Sequence, residues 1–538
     1  MDQIKAFKWS AILKFIPGRQ LILTVIYGVT RIGISLVWPY SLFYLVKNLD
    51  QRPVRELFSG ILVVTLLLIL SAILSHKQST LNLRILQDFS TSLTNKVWKK
   101  MMNLEWRTFH SKSRVYYFDL IMMDTWRVRA GLSALLETLI VNGVIVVVLT
   151  FFIAVISMPL FLLCLGALLT SIAVQFLSSQ KSRPYLGQFH NAWRHQHHWI
   201  SKSVDQFDLI KLNRGYDESL ASHQRNTAAF LASNGRMIES QAYWRNINQL
   251  VSNIVRVAIL ITGIYMVQNG HVTMQELLFV FLIVTVIQSN LTQTPGAFNN
   301  LMESQEALKS LLEFFELKEE KTAASPEIPP IRKITIRDLT FPFPDSMELL
   351  QTEFDLERGK IYLWKGNNGT GKSTAAHLLL GLLSPSEAKL TINDVPTDWN
   401  NLRDLRSRFA FLNQHSPIFM GSIKENTVFG HPEQDNAWTS VTGTWLSGLL
   451  PSGFATGERK VGERGEGISG GEAKRIALIR ELLRDAEVLI LDEPLNHLDQ
   501  HAIAEIKREV INLKENMIIV IISHQNGFED IADEIKQF

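Results

Sequence analysis

The sequence predicts a multi-domain protein, with an all-α six-helix transmembrane domain followed by an α/β P-loop domain. Two observations carry this prediction. The first is a series of long apolar runs confined to the earlier part of the chain. The second is the stretch 366–374, which reads GNNGTGKST and matches the phosphate-binding pattern G-x-x-x-x-G-K-[ST].

Length and composition limit the number of domains and the classes of partner and site that the chain can have. A chain of 538 residues is expected to hold two to four domains. Its net charge of +3 gives no sign of a nucleic-acid partner, and none is expected. Cys164 is the one cysteine, so an intrachain disulfide is excluded and a cysteine metal site is not expected.

Six apolar runs are candidates for crossing about 30 Å of hydrocarbon. They cover residues 21–46, 58–74, 133–156, 160–176, 251–267 and 277–287. Buried helices of a soluble protein are the alternative reading, but six such runs in one chain favour membrane spans. A lipid bilayer is therefore a predicted partner.

The connections between these runs alternate short and long. The long ones, 75–132 and 177–250, have helical composition and are rich in Lys and Arg, as is the N-terminal segment 1–19. The positive-inside bias favours a cytoplasmic place for all three. The C-terminal domain then also lies in the cytoplasm of a multi-pass plasma (inner) membrane protein, with a bacterial source favoured.

Domain boundaries follow from a break in composition. Residues 318–330 form a linker that contains Ser325-Pro326 and Pro329-Pro330, which cannot continue a helix. The transmembrane domain is therefore predicted at 1–317 and the nucleotide-binding domain at 331–538. From Ile331 onward strand-like and helical runs alternate, which predicts a mostly parallel sheet.

The phosphate loop has the flanks that the motif requires. A strand, Ile361–Trp364, precedes it and a helix follows it, which argues against a chance match in a glycine-rich turn. Lys372 is predicted to reach the β- and γ-phosphates of ATP, and the Ser373 hydroxyl to bind Mg²⁺. The predicted phosphate-binding residues are Gly366, Asn367, Asn368, Gly369, Thr370, Gly371, Lys372, Ser373 and Thr374.

Two further stretches carry a resemblance. A second apolar strand ends in Asp492-Glu493, and 468–472 reads ISGGE before a helix. Together with the phosphate loop, this order resembles ATP-binding cassette (ABC) transporters, whose signature is usually LSGGQ. Over the whole chain, the six spans, two long loops and one C-terminal cassette resemble a half-transporter of the exporter fold (type IV). The resemblance implies an ATPase that is coupled to transport.

The resemblance also implies roles for single residues. Asp492 would hold Mg²⁺ through water, and Glu493 would act as the general base. Gln414 would sense Mg²⁺ and the γ-phosphate, and His524 would contact the γ-phosphate as the switch histidine. Phe343 would stack on adenine, where a Tyr is commoner.

The signature implies a dimer. In this family it binds the γ-phosphate that the other cassette holds, so a complete site needs a second chain. The residues concerned are Ser469, Gly470, Gly471 and Glu472. A homodimer is favoured because every catalytic position matches, and a heterodimer is the alternative.

The turn that follows the second apolar strand, at 495–499, reads LNHLD where exporters usually have SALD. Asp499 keeps the carboxylate of that turn. His497 is the departure there, and it bears on coupling between the two ATP sites.

The expected function is export of an amphipathic substrate by alternating access. A peptide or peptide-like compound is preferred, and a lipid or drug is possible. An importer of exporter fold and an ATP-dependent regulator of another membrane protein are the alternatives. Arg31 and Arg256 lie inside predicted spans, where they either line the substrate cavity or sit near span ends.

The second long loop contains His195 and His198, which could share a helix face and bind a metal. A polar helix that packs on a cassette is the preferred interpretation of this stretch. The two coupling helices are expected near Tyr117–Asp124 and Trp193–Lys202.

Overall fold

The computed structural model describes residues 22–23, 26–28, 30, 41, 54–291, 294–320, 329–342, 349–367, 369–414, 417–431, 433–450, 453–496 and 500–538. The chain divides into two compact units. One consists of Met1–Met102 and Lys112–Leu317, and the other of Asn103–Ser111 and Lys318–Phe538. We call them the helical unit and the cassette unit.

The helical unit is built from long helices joined by short connections. In chain order the first helices are α1 Val54–Met102, α2 Trp106–His110 (which belongs to the cassette unit), α3 Arg114–Phe118, α4 Thr125–Ser133, α5 Gly143–Ile156, α6 Met158–Asp205, α7 Phe207–Leu212, α8 Tyr216–Gln268, α9 Met274–Leu291 and α10 Thr294–Phe315. Two π-helical segments interrupt this series, π1 at Asp119–Asp124 and π2 at Ala134–Asn142.

Five helical stretches of the described chain are long and apolar enough to cross a membrane, judged by length and composition. They contain the second to sixth predicted spans. The first predicted span, 21–46, lies almost entirely outside the described residues, as does Arg31.

The predicted long loops are helical continuations of the spans. The 48 residues of α6 make a helix of roughly 70 Å, about twice the thickness of the hydrocarbon. It packs antiparallel to α8, because Ser182 meets Ser240 at 2.9 Å and Gln196 donates to Thr227 at 3.0 Å. The polar halves of both helices therefore support each other beyond the apolar segments.

A close-packed apolar cluster holds the membrane ends of α5, α6, α8 and α9 together. Ile153, Leu160, Ile259 and Ile283 are fully buried in it. A Cβ on Gly263 of α8 would lie 2.0 Å from Cδ1 of Leu277, so a larger residue there would force the Leu277 side chain to move.

The cassette unit is an α/β domain with a parallel central sheet, as the sequence predicts. Its strands are β1 Lys333–Pro342, β2 Leu349–Glu357, β3 Ile361–Lys365, β4 Glu387–Ile392, β5 Val395–Pro396, β6 Phe409–Leu412, β7 Gly421–Ser422, β8 Lys460–Val461, β9 Val488–Asp492, β10 Ile518–Ile522 and β11 Glu534–Gln537. Its further helices are α11 Lys372–Leu379, α12 Leu402–Leu405, α13 Ile423–Thr427, α14 Gln434–Gly443, α15 Gly470–Leu482 and α16 Gln500–Leu513.

The strand order positions the site. The five-stranded sheet runs β11-β3-β10-β9-β6 with every pair parallel, and a four-stranded antiparallel sheet runs β2-β1-β4-β5. Strands β9 and β10 are wholly buried apolar runs, as expected for a sheet covered on both faces. The carboxyl ends of β3, β9, β10 and β6 meet at one edge, where α/β sheets bind ligands.

A short segment from the middle of the chain, Asn103–Ser111, is packed into the cassette unit. Arg406 makes a bidentate pair with Glu320 at 2.9 and 3.0 Å, and Arg403 donates to Asn103 at 3.1 Å. The ring of Trp106 lies 4.9 Å from that of His377 on α11.

This arrangement bears on the expected position of the first coupling helix. Tyr117–Asp124 is part of the helical unit, and α2 is the helix that packs on the cassette. The second coupling helix is expected at Trp193–Lys202, which lies within α6, whereas the short helix at the turn of the α6–α8 hairpin is α7. Helical periodicity alone does not show where such a hairpin turns.

Candidate nucleotide site

The phosphate loop runs from the end of β3 to the start of α11. Gly366, Gly369 and Gly371 have φ angles of 155°, 89° and 97°, in the region that glycine adopts without strain. A Cβ on Gly366 would also lie 2.7 Å from the carbonyl oxygen of Phe538. The motif glycines are therefore needed for the shape of the loop as well as for access to a phosphate.

Lys372 is the first residue of α11 and is 7% exposed. Its Nζ donates to the carbonyl oxygens of Gly366 and Asn367, both at 2.8 Å. The Thr370 hydroxyl donates to the same Asn367 oxygen at 3.0 Å. The ammonium group is thus held over the loop, where a β- or γ-phosphate oxygen could replace its backbone acceptors.

Ser373 and Asp492 are brought together across 119 residues of sequence. The Ser373 hydroxyl donates to Oδ2 of Asp492 at 2.9 Å. Burial raises the pKa of the Asp492 carboxyl, and the hydrogen bond from Ser373 opposes that rise. A hydroxyl and a carboxylate are hard oxygen donors, so this pair fits Mg²⁺.

Glu493 directly follows Asp492 and is paired with His524. Nδ1 of His524 lies 2.6 Å from Oε1 of Glu493, and the backbone N–H of His524 donates to the same oxygen at 3.0 Å. Glu493 is 6% exposed and has a φ of 50°, which a residue with a side chain rarely adopts. Such backbone strain concentrates at functional sites.

Lys474, on α15, is a site residue that sequence reasoning missed. Its Nζ is buried and donates to the carbonyl oxygens of Asn413, Gln414 and Asp492 at 3.2, 3.4 and 3.3 Å. Burial lowers the pKa of the ammonium group, and the charges of Asp492 and Glu493 oppose that change. The lysine therefore ties the helix after the signature to the ends of β6 and β9.

Gln414 itself is exposed, two residues beyond β6. Lys474 reaches its backbone carbonyl and leaves its side chain at the surface. A lysine in a helical pattern is typical of a solvated face. Only the position of Lys474, two residues after the signature, indicates in the sequence that it belongs to the site.

The signature forms the start of α15. Ser469 is the N-cap and accepts from the backbone N–H of Glu472 at 3.2 Å, while the Glu472 carboxylate accepts from the N–H of Ser469 at 2.6 Å. This reciprocal capping box accepts Glu or Gln in the last position, which gives the unusual Glu472 a structural role. Gly470 and Gly471 are the first two helical residues.

Several predicted residues fall outside this geometry. Phe343, Asn368 and Asp499 lie outside the described residues, and so does His497. Thr374 is half-buried on α11.

The sequence analysis suggested a binding role for two features of the helical unit, which are the arginine inside a span and the histidines of the second long loop. Arg256 is half-buried on α8. Within the described part of the chain, no group of three His, Cys, Asp or Glu residues is placed to hold a metal, and His197 pairs with Asp119 at 3.1 Å.

Known families account for both units. A family profile described as ABC transporter transmembrane region matches residues 21–291, half of the chain, and one described as ABC transporter matches residues 349–496. The chain belongs to the ABC transporter family. Its cassette unit is therefore an ATP-binding domain, and the predicted family and fold class are confirmed.

This ABC transporter has similar curated relatives. It is 34% identical over 212 residues to the ATP-dependent lipid A-core flippase of Pseudoalteromonas atlantica, covering 38% of this chain and 36% of that protein. It is 25% identical over 346 residues to the beta-(1→2)glucan export ATP-binding/permease protein NdvA of Bartonella bacilliformis, covering 62% and 57%. The alignments thus span less than two thirds of either relative.

A solved structure shares the fold over nearly the whole length of the ABC transporter. It is described as a bacterial Atm1-family ABC exporter with ATP bound, with a TM-score of 0.84 at 17% identity, covering 97% of this chain and 93% of that one. At this identity the likeness concerns the fold, which is that of an exporter half. The predicted ATPase coupled to transport agrees with these findings, whereas the peptide preference gains no support from them.

Proposed function

We propose that this ABC transporter is an ATP-driven exporter that works as a dimer in a bacterial inner membrane and moves an amphipathic lipid or glycan compound. The observation that carries the proposal is the joined pair of contacts Ser373–Asp492 and Glu493–His524. They lie beside a glycine loop of phosphate-binding shape. A domain that only binds nucleotide needs the loop, but it has no need of a paired base.

Each cassette residue has a separate role in ATP hydrolysis. Lys372 exchanges its bonds to Gly366 and Asn367 for phosphate oxygens, so it is in place before the reaction begins. When bound, Mg²⁺ neutralises developing phosphate charge, and Ser373 and Asp492 would hold it. Glu493 takes the proton of the attacking water, with its carboxylate oriented by His524.

A dimer is proposed because the signature heads a separate helix. Ser469 and Glu472 cap α15 and leave the N–H groups of its first turn at a helix N-terminus, which suits an anion from another chain. Two copies would supply two competent sites, so a homodimer suffices. A heterodimer with a different half remains the second possibility.

The turn of the α6–α8 hairpin supports the same assembly. Phe207, Leu209 and Leu212 of α7 are 58%, 57% and 83% exposed. Exposed apolar side chains that cluster in this way mark a surface that contacts a partner. We assign this tip to a docking contact with the cassette of the second chain. Cassette closure on ATP would then pass into α6 and α8 and alternate the access of the cavity, with the N-terminus and cassettes in the cytoplasm.

The relatives favour a lipid or glycan substrate, since one is described as a lipid A-core flippase and another as a glucan exporter. A peptide remains the second candidate, from the sequence analysis alone.

The test is ATP-dependent movement in inside-out vesicles, comparing the natural chain with Glu493→Gln. The panel contains glycolipids, phospholipids, oligosaccharides and peptides. Accumulation that the variant loses supports export and names the substrate class. Movement in the opposite direction would assign an importer, and vigorous ATPase without movement of any compound would assign a regulator; both results contradict the proposal.

A further inference from the structure

A polar cavity lies among the helices of the helical unit, away from the nucleotide site. Its volume is about 200 Å³. Four carboxamides line it, from Gln78, Asn82, Asn142 and Asn290. The hydroxyls of Ser79 and Thr138 and the carboxylate of Glu137 complete the wall, so every lining residue is polar.

The position of the cavity suits a substrate headgroup. Its α1 residues follow directly on the second predicted span, and Asn290 follows the sixth. Its remaining residues belong to π2, in the first turns of the third predicted span. The cavity therefore lies at the ends of three apolar segments, which is the depth at which the polar part of a membrane lipid sits.

One polar atom of the wall has no hydrogen-bond partner among the residues that the structure describes. Gln78 is 4% exposed, and its Oε1 has no hydrogen-bond partner among the described residues. A buried carbonyl oxygen without a partner costs roughly 1–3 kcal/mol, and a hydroxyl bound in the cavity would offset that cost. Asn82, 2% exposed, donates to Oε1 of Glu137 at 3.2 Å and so orients the carboxylate.

The backbone around Glu137 has an unusual conformation as well. Residues Ala134–Asn142 form the π-helix π2, and Glu137, Thr138 and Asn142 all come from it. Segments of π-helix are rare overall. Those that occur are often found at functional sites, because they displace side chains from the ordinary helical spacing. Here the displacement is associated with three polar side chains on one cavity.

Charge decides which headgroup fits. Among the described residues that line the cavity, none is Lys or Arg, and the one charged group is the carboxylate of Glu137. Among these described residues a phosphate would meet a like charge and no Lys or Arg that could neutralise it. Sugar hydroxyls both donate and accept, so they match a set of carboxamides around one carboxylate acceptor.

We propose that this cavity recognises the uncharged, hydroxyl-rich sugar headgroup of a lipid-linked substrate. The inference rests on the proposed function, since it names the substrate class of that transporter. Gln78 and Asn82 bond the sugar hydroxyls directly, and Glu137 accepts from a hydroxyl while Asn82 holds it in position.

The experiment uses the full chain reconstituted in liposomes with three fluorescent lipids of identical acyl chains. Their headgroups are a neutral glucosyl group, a phosphate and an amine. The natural chain is expected to move the glucosyl lipid at least about tenfold faster than the phosphate lipid in the presence of ATP. Basal ATPase activity is measured for every variant as the check on folding.

Three variants and one control test the wall. Gln78→Met and Asn82→Leu are each expected to lower the rate for the glucosyl lipid roughly tenfold at limiting lipid, because a hydrogen-bonding group is lost at nearly constant volume. Glu137→Gln keeps the hydrogen bonding, so glucosyl transport stays within about threefold while phosphate transport rises. Asn248→Leu is the control, since Asn248 is also buried and also has an unpartnered amide oxygen but does not line the cavity.

Equal or faster movement of the phosphate lipid by the natural chain would overturn the inference and leave the proposed exporter intact. Preference for the amine lipid that disappears in Glu137→Gln would overturn it in favour of a cationic headgroup. Wild-type glucosyl transport in both Gln78→Met and Asn82→Leu would also overturn it. If no lipid moves in an ATP-dependent way that Glu493→Gln abolishes, the proposed function itself fails and the inference fails with it.

Discussion

Nδ1 of His524 lies 2.6 Å from Oε1 of Glu493, and the backbone N–H of the histidine reaches the same oxygen at 3.0 Å. One carboxylate oxygen therefore receives two contacts from a single residue of the neighbouring strand end. Because Glu493 is buried and held in a strained backbone conformation, these contacts determine where its carboxylate points.

Glu493→Gln is expected to lower ATP hydrolysis by at least about 100-fold while ATP still binds. The amide keeps the volume of the side chain but cannot take a proton from water. Hydrolysis and nucleotide binding are measured on the same preparation, with Glu515→Gln, another carboxylate of the cassette unit, as the matched control. Hydrolysis near the natural rate in Glu493→Gln would remove Glu493 from the role of base.

Lys474→Met is expected to lower both the stability of the cassette unit and its turnover. The substitution leaves the buried carbonyl oxygen of Asp492 without this donor, and a buried unsatisfied group costs about 1–3 kcal/mol. The exposed residues Asn413 and Gln414 lose the same donor at a smaller cost. Lys474→Gln retains a donor and should lose less. Thermal unfolding and hydrolysis of the full chain check both variants, and a Met variant equal to the natural chain would show that the lysine is dispensable.

Glu472→Gln is expected to lower the KM for ATP by about two- to fivefold. Gln preserves the capping box with Ser469, and it removes one negative charge from the helix start that we propose to meet the partner's γ-phosphate. Glu472→Ala serves as the comparison, since it removes the charge and the cap together and should lower stability by about 1 kcal/mol. An unchanged KM in Glu472→Gln would mean that this carboxylate is remote from the nucleotide in the dimer.

His190 makes the stability of the helical unit depend on pH. It is buried, both ring nitrogens lack a hydrogen-bond partner among the described residues, and burial with the charges of Arg127 and Arg194 lowers its pKa to about 4. Since the unfolded chain takes up a proton near pH 6.5 and the folded chain does not, stability falls as the pH drops from 6.5 toward 4.

His190→Gln should remove this dependence. At pH 5 the natural chain is expected to lose roughly 2 kcal/mol relative to pH 7.5, beyond the loss in the variant. Thermal unfolding in detergent at the two pH values measures the difference. Parallel curves for the two proteins would show that the imidazole titrates normally.

The cassette could be anticipated in detail from sequence because its motifs are short, contiguous and chemically constrained. Ser373 and Asp492 lie 119 residues apart, yet each sits at a strand end within its own motif, so their meeting was predictable. Lys474 was not, since a charged residue on a helix gives no indication of burial until the sheet edge beneath it is known.

In the membrane part, the second to sixth apolar runs could be predicted from sequence and lie in described helices, whereas the chemistry between them could not be predicted. Arg31 and Arg256 stand out in the sequence, because a charge inside an apolar run is visible without a structure. Gln78, Glu137 and Asn290 stand at the edges of runs, where polar residues are ordinary, and they come together only through the packing of three helices. The π-helix that places Glu137 has no sequence pattern of its own.

The segment Asn103–Ser111 leaves the helical unit, packs among cassette residues and returns, so the chain crosses between the two units three times. A cassette cut out at the linker would be continuous in sequence and still incomplete as a folded body. Arg403 would lose Asn103, and the surface that Trp106 covers beside His377 would be bare. Cassettes of different transporters should therefore not be interchangeable at the linker alone, because part of each cassette's identity is encoded more than 200 residues upstream of it, inside the gene segment for the membrane half.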